Sequence, residues 1–303
     1  MFVVKYRKIF FALSTLLTAG AIALMVIFGF NFGIDFKGGS IMEVSYSANS
    51  RPALETVQGK INTLGLGGYS VQPSGSDRFV VRTRELKTEE KTQLTQALSV
   101  DGITLPKEER FNTIGPVVGN ELKNKALIAI ALVIICIVLF VTFAFRKVAK
   151  PVASWKYGFV TILALVHDVI VPTGVFILFA HLYGGEIDLL FVTAILAILG
   201  YSVHDTIVVF DRVRENLRIN HDSRTDEDFE ITVGKSVSQT FGRSINTSLT
   251  IFLVLVALYF VGGETTRNFA FVLLVGVIVG TYSSIFLASP LLVTLGKIKS
   301  KNS

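Results

Sequence analysis

Residues Leu189 to Phe210 read LLFVTAILAILGYSVHDTIVVF and run straight into Asp211-Arg212-Val213-Arg214-Glu215-Asn216. The run is long and apolar enough to span a bilayer, yet it carries His204 and Asp205 near its end. A carboxylate in hydrocarbon is costly and is retained mainly where it faces a partner, a cavity or an ion path. A second acid, Asp168, lies in the middle of another long apolar run. Two intramembrane acids without an energy-yielding motif point to a machine driven by an ion gradient.

Working outward, 51% of the 303 residues are hydrophobic, and hydropathy marks six spans near 9–30, 126–145, 157–180, 188–210, 244–262 and 269–295. The expected fold is a polytopic α-helical membrane protein. The first apolar run continues from the basic start (Lys5, Arg7, Lys8) to Phe30, too long for a cleaved signal, so it reads as a retained span. The single cysteine, Cys136, lies in the second span and forms no intrachain disulfide.

Basic residues set an expected orientation. Lys5, Arg7 and Lys8 precede span one; Arg146, Lys147, Lys150 and Lys156 lie between spans two and three. Arg212, Arg214, Arg218, Arg224, Lys235 and Arg243 lie between four and five, and Lys297, Lys299 and Lys301 follow span six. The short opposite loops, 181–187 and 263–268, hold only Arg267. The asymmetry predicts both termini in the cytoplasm and residues 31–125 outside it. It also accounts for the net charge of +6 through topology and anionic lipid, without nucleic acid. The expected organisation is a cytoplasmic start and first span (1–30), an external domain (31–125), a five-span bundle (126–295) with a cytoplasmic loop at 211–243, and a tail (296–303).

The external segment carries 12 basic and 11 acidic residues, so it implies no charged ligand. Met42, Val44 and Tyr46 alternate with polar neighbours as in a half-buried strand. Leu54, Val57, Ile61 and Leu64 follow helical spacing up to Gly65-Leu66-Gly67-Gly68. Strand-like runs at 69–72 and 78–84 flank a turn at 73–77, a helix is expected over 88–98, and a closing strand over 110–114. The order β-α-β-β-α-β predicts a small ferredoxin-like α/β domain.

Glycine-rich joints mark both ends of this domain. Gly33-Ile34-Asp35-Phe36-Lys37-Gly38-Gly39-Ser40 follows span one, and Gly115-Pro116-Val117-Val118-Gly119 precedes span two. Each reads either as a membrane-exit turn or as a hinge that lets the domain swing as a rigid body. Val233-Gly234-Lys235-Ser236 resembles the end of a phosphate-binding loop, but Phe229 stands where the first glycine belongs. An amphipathic helix over this stretch is the better reading.

Arg243, Asn246, Thr247 and Thr250 recur at i, i+3, i+4 and i+7 and make a polar stripe in span five. Arg243 reads either as a snorkelling end residue or as a cation reaching toward Asp205. Gly276, Gly280, Ser284 and Ala288 form a small-residue seam in span six for close helix packing. Asp168 and Asp205 are the leading proton-carrier candidates. His167 and His204 adjoin them and titrate near neutrality, or serve as merely satisfied polar residues.

Gly33–Ser40, Gly115–Gly119 with Glu121-Leu122, His167-Asp168, Gly200–Asn216 and Gly242–Thr250 together resemble the SecF family, over nearly the whole chain and in the right order. The run GYSVHDTIVVFDRVREN is its most specific part; His204 stands where the family usually has Asn. The resemblance implies half of an RND-type fold, paired with SecD as an accessory of the Sec translocase. It implies work beside the SecYEG translocon, with YidC and YajC as further neighbours, on unfolded preprotein segments in the bacterial plasma membrane. It implies drive by the proton gradient, or sodium in some lineages, with the coupling chemistry on Asp205 and Arg243, and no cofactor, metal or enzymatic activity. Read from the residues alone, an RND-type exporter of lipids or small molecules and an intramembrane aspartyl protease remain rivals. The Tyr-Asp and Gly-x-Gly-Asp contexts of such proteases are absent here.

Overall fold

The computed structural model describes residues 2–47, 50–146, 152–225 and 227–300. Lys147, Lys150 and Lys301, counted above among the basic residues, lie outside the described residues, as does the end of the 296–303 tail. In chain order the elements are α1 (Phe2–Lys5), α2 (Arg7–Phe28), α3 (Ile34–Lys37), β1 (Gly39–Ser45), α4 (Leu54–Asn62), β2 (Ser70–Ser74), β3 (Arg78–Thr83), α5 (Thr88–Ala97), β4 (Lys107–Ile114), α6 (Pro116–Ala144), α7 (Ser154–Tyr183), α8 (Leu189–Asp222), α9 (Phe229–Val261), α10 (Glu264–Tyr282), a π-helical turn (Ser283–Ala288) and α11 (Ser289–Ser300). Among the described residues, six helices are long and apolar enough to cross a membrane: α2, α6, α7, α8, α9 and the composite helix Thr266–Gly296.

Two compact units result. The membrane unit comprises residues 1–30, 128–185 and 190–303. Here α7 packs against α2, and the approach is close because Gly174 leaves room: a Cβ there would stand 2.5 Å from Ala21 Cα. The seam of span six meets α8 in the same manner, since a Cβ on Gly276 would stand 2.2 Å from Ile198 Cδ1 and one on Gly280 3.1 Å from Ser202 Cβ. At one end of the unit, Phe145 stacks on Tyr157 at 5.1 Å, Phe210 meets Tyr157 edge-on at 5.2 Å, and buried Val3 and Val4 join the same apolar cluster. Cys136 is exposed on α6.

The second unit, expected from the basic residues to be external, comprises residues 31–127 and, unexpectedly, 186–189. Its four-stranded antiparallel sheet runs β2-β3-β1-β4, the ferredoxin-like order that the alternation predicts. Met42, Val44, Phe79 and Val81 face inward and pack with Val57 and Ile61 of α4 and Leu94 of α5. The closing strand starts at Lys107, earlier than expected, because its exposed charged start has no apolar alternation to read.

The two glycine joints contact each other. A Cβ on Gly38 would stand 2.7 Å from Pro116 Cα, and one on Gly119 would stand 2.7 Å from Gly38 N. Gly39, at φ +133, faces the Thr83 carbonyl oxygen, where a Cβ would come to 2.6 Å. The two motifs read as separate hinges therefore pack against each other inside one unit. Only glycine permits that approach and those positive φ angles.

Candidate functional site

The two acids lie in the membrane unit and are held very differently. Asp168 on α7 is fully buried, at 0% exposure. Its Oδ1 lies 2.9 Å from His167 Nδ1, and its Oδ2 accepts from Ser202 Oγ of α8 and from Ser283 Oγ of the π-helical turn, the latter at 2.6 Å. Pro172 sits four residues along α7 and has no N–H, so the Asp168 carbonyl lacks its usual helical donor. Facing it, the π-helical turn changes the register of span six at Ser283 and Ser284. Such turns are frequently found at functional sites.

Asp205 on α8 is buried at 5% exposure, beside the hydroxyls of Ser244 on α9 and Ser284 on the π-helical turn. Asp205 Oδ2 and Ser244 Oγ nevertheless make no well-formed hydrogen bond. Around the pair runs a hydroxyl network: Thr206 with Ser284 at 2.8 Å, Tyr201 with Ser248 at 2.5 Å, and Ser248 with Thr281 at 2.6 Å. Ser284 Oγ also donates to the Ser202 carbonyl at 3.3 Å, so the polar networks of the two acids adjoin through α8 and the π-helical turn. A buried carboxylate with an unbonded oxygen among rotatable hydroxyls can accept and give up a proton with little rearrangement. His167 Nε2 is likewise buried and unbonded.

The proposed Arg243 contact is absent. No ion pair joins it to Asp205 among the described residues, and Arg243, Asn246, Thr247 and Thr250 are all exposed. The inward face of α9 is instead Thr232, Ser236, Thr240, Ser244 and Ser248, all buried. One residue turns a helix by about 100°, so Arg243 and Ser244 point to different sides. That inward hydroxyl row recurs every four residues and was legible in the sequence, beside the polar row that carries Arg243. His204 is exposed, one position from the buried acid. Val233-Gly234-Lys235-Ser236 is helical within α9, with Gly234 and Ser236 buried, so no phosphate loop forms. In the second unit, Gly33 and Asp35 meet the 186–189 segment, while Gly115, Pro116 and Gly119 line the glycine contact already described.

The family model for the protein export membrane protein SecD/SecF, C-terminal, matches residues 95–298, and the SecD/SecF GG motif matches residues 23–49. The chain belongs to the SecD/SecF family. It is 41% identical to the protein translocase subunit SecF of Thermobaculum terrenum, over 96% of this chain and 93% of that one. It is 38% identical to the SecF of Anaerolinea thermophila, over 95% and 91%. The crystal structure of SecDF from Thermus thermophilus, a translocon-associated membrane protein, superposes with a TM-score of 0.82 at 31% identity, covering 99% of this chain and 38% of that chain. A second SecDF structure, in a super-membrane-facing form, gives 0.68 over 100% and 39%. The chain is thus a multi-pass cell-membrane protein and an accessory subunit of Sec translocation; the exporter and protease readings are not favoured.

Proposed function

We propose that this chain works as the SecF half of a heterodimer with SecD and uses the proton gradient, or a sodium gradient, to help draw preproteins outward through the Sec translocon. The observation that carries the reading is Asp205: buried, with an unbonded Oδ2, among the hydroxyls of α8, α9 and the π-helical turn. A charge crossing the membrane field contributes about 2.3 kcal/mol per 100 mV, enough to bias a helix packing with two close-lying states. Asp168, with three side-chain partners, serves as the fixed neighbour, and His167 as its orienting partner.

The exposed stripe of Arg243, Asn246, Thr247 and Thr250 is where we place contact with SecD, because polar side chains on a membrane helix need a protein or water-lined face. Both termini are cytoplasmic in this reading, and the external unit engages unfolded preprotein segments. SecYEG is the working partner, with YidC and YajC as further neighbours; the subunit takes no cofactor, metal or nucleic acid and performs no covalent catalysis. The test is preprotein export in proteoliposomes holding this chain, SecD and SecYEG, with and without a proton gradient. Gradient-stimulated export with wild type and its loss in Asp205→Asn is the expected result. Equal export with and without the gradient overturns the reading.

A further inference from the structure

The short connection between α7 and α8 does more than join two helices. Gly33 N–H donates to the Ile187 carbonyl at 2.9 Å, and Ile187 N–H donates to the Asn31 carbonyl at 2.8 Å. These bonds make a parallel bridge between Phe32 and Ile187. Asp35 Oδ2 accepts from the backbone N–H of Leu189, the first residue of α8, at 2.9 Å. An acidic side chain at that position satisfies one free helical N–H and complements the helix dipole. Glu186 completes the attachment: its Oε2 lies 3.0 Å from Arg82 Nε on β3. All these contacts lie within the external unit, yet Leu189 continues without a break into α8, a single helix to Asp222.

We propose that residues 31–35 and 186–189 form a strap by which the external domain positions the outer end of α8, and that Gly33 and Asp35 are positioning residues for Asp205 on the same helix. Asp205 lies roughly 24 Å along that helix at about 1.5 Å per residue. An unbroken helix carries an axial shift or rotation of its first turn along its length. Movement of the external domain and the protonation state of Asp205 are thereby linked, and the linkage acts in both directions. The proposal rests on the reading of Asp205 as the proton carrier.

Two pairs of variants test it. Gly33 sits at φ −72 and ψ 178, which proline accepts, so Gly33→Pro keeps those dihedrals while its ring carbon replaces the N–H and drives the Ile187 carbonyl away. Gly33→Ala keeps the N–H, and its Cβ presses only on the flexible Glu186 carboxylate, at 3.3 Å, with Ile187 O and Asp188 Cβ at ordinary contact distances of 3.5 and 3.6 Å. Asp35→Ala removes the cap, whereas Asp35→Asn keeps an accepting oxygen. Full-length chain with SecD and SecYEG in proteoliposomes is followed by preprotein export and by hydrogen exchange of amides 190–205, with and without a proton gradient. Gly33→Pro and Asp35→Ala should lower export about tenfold, the scale of one lost hydrogen bond, and abolish the gradient-dependent change in exchange. Gly33→Ala and Asp35→Asn should preserve both readouts, and unchanged exchange in β1 and β3 shows that the domain stays folded. A gradient response that survives the two breaking variants, is lost equally in the two keeping variants, or is missing from wild type overturns the strap. Normal export by Asp205→Asn overturns the proton-carrier reading instead, a result independent of the exchange pattern.

Discussion

Asp168 and Asp205 differ in how many donors hold each carboxylate, and this sets opposite expectations for their neighbours. Asp205→Asn keeps the size and removes titration. Export should fall at least about tenfold while insertion and pairing with SecD persist, as read by export kinetics and co-purification. Normal export by a stably inserted Asp205→Asn protein would falsify the proton-carrier role. Ser283→Ala removes a donor from the fully buried Asp168 and should cost about 1–3 kcal/mol of stability. Ser244→Ala removes a hydroxyl that lies beside Asp205 without a well-formed hydrogen bond and should cost less. The two thermal unfolding midpoints in detergent check the contrast; equal losses contradict the assigned difference between the sites. The acids were visible in the sequence because a charge in an apolar run stands out. Their hydroxyl partners were not, because serine and threonine in a membrane helix are common, and only packing selects those that converge.

Among the helices, the seam of span six was read from its four-residue spacing, and its first two glycines lie against α8. The π-helical turn was not read, because a single inserted residue leaves no mark in hydropathy. Pro172 was a signal in plain view: it frees the carbonyl of Asp168 and marks α7 as locally adjustable at the acid. The end of the helix that Arg243 occupies can be read from hydropathy, but only packing fixes its side of α9, and there it is exposed. Close contact between the seam and α8 predicts that Gly276→Val is lost to export, because its Cβ collides with Ile198. Pairing Gly276→Val with Ile198→Ala should recover much of the activity, since the second change vacates the space. If Ile198→Ala brings no recovery in the preprotein export assay, the seam's contact with α8 is not what Gly276 protects.

Across the whole molecule, the α/β domain was legible as β-α-β-β-α-β because its strands alternate apolar and polar residues on a one-sided sheet. The 186–189 segment was missed, since four residues of loop carry no periodicity and their partners are more than 100 residues away in sequence. The glycine motifs told only that the backbone needs room; contact and motion demand the same residue. The ion pairs of this domain set its response to pH. The Arg84 hydrogen bond, helped by the Lys87 N–H, holds the Glu90 carboxyl down at about 2 against an ordinary 4.5. The folded domain therefore binds fewer protons than the unfolded chain in that interval. Its contribution is present above pH 4.5 and is lost as pH falls toward about 2. Glu186 shifts the other way: burial raises it, opposed by Arg82 and Lys37. Its contribution is greatest below its ordinary 4.5 and declines as pH rises toward the raised value. Hydrogen exchange of β3 and α5 amides in the full-length protein should therefore accelerate, after correction for intrinsic rates, as pH drops from 5 toward 3. Glu90→Gln should flatten that acid loss, and Glu186→Gln should steepen it by removing the opposing group. An acid slope identical in wild type and Glu90→Gln excludes the Arg84–Glu90 pair as its source.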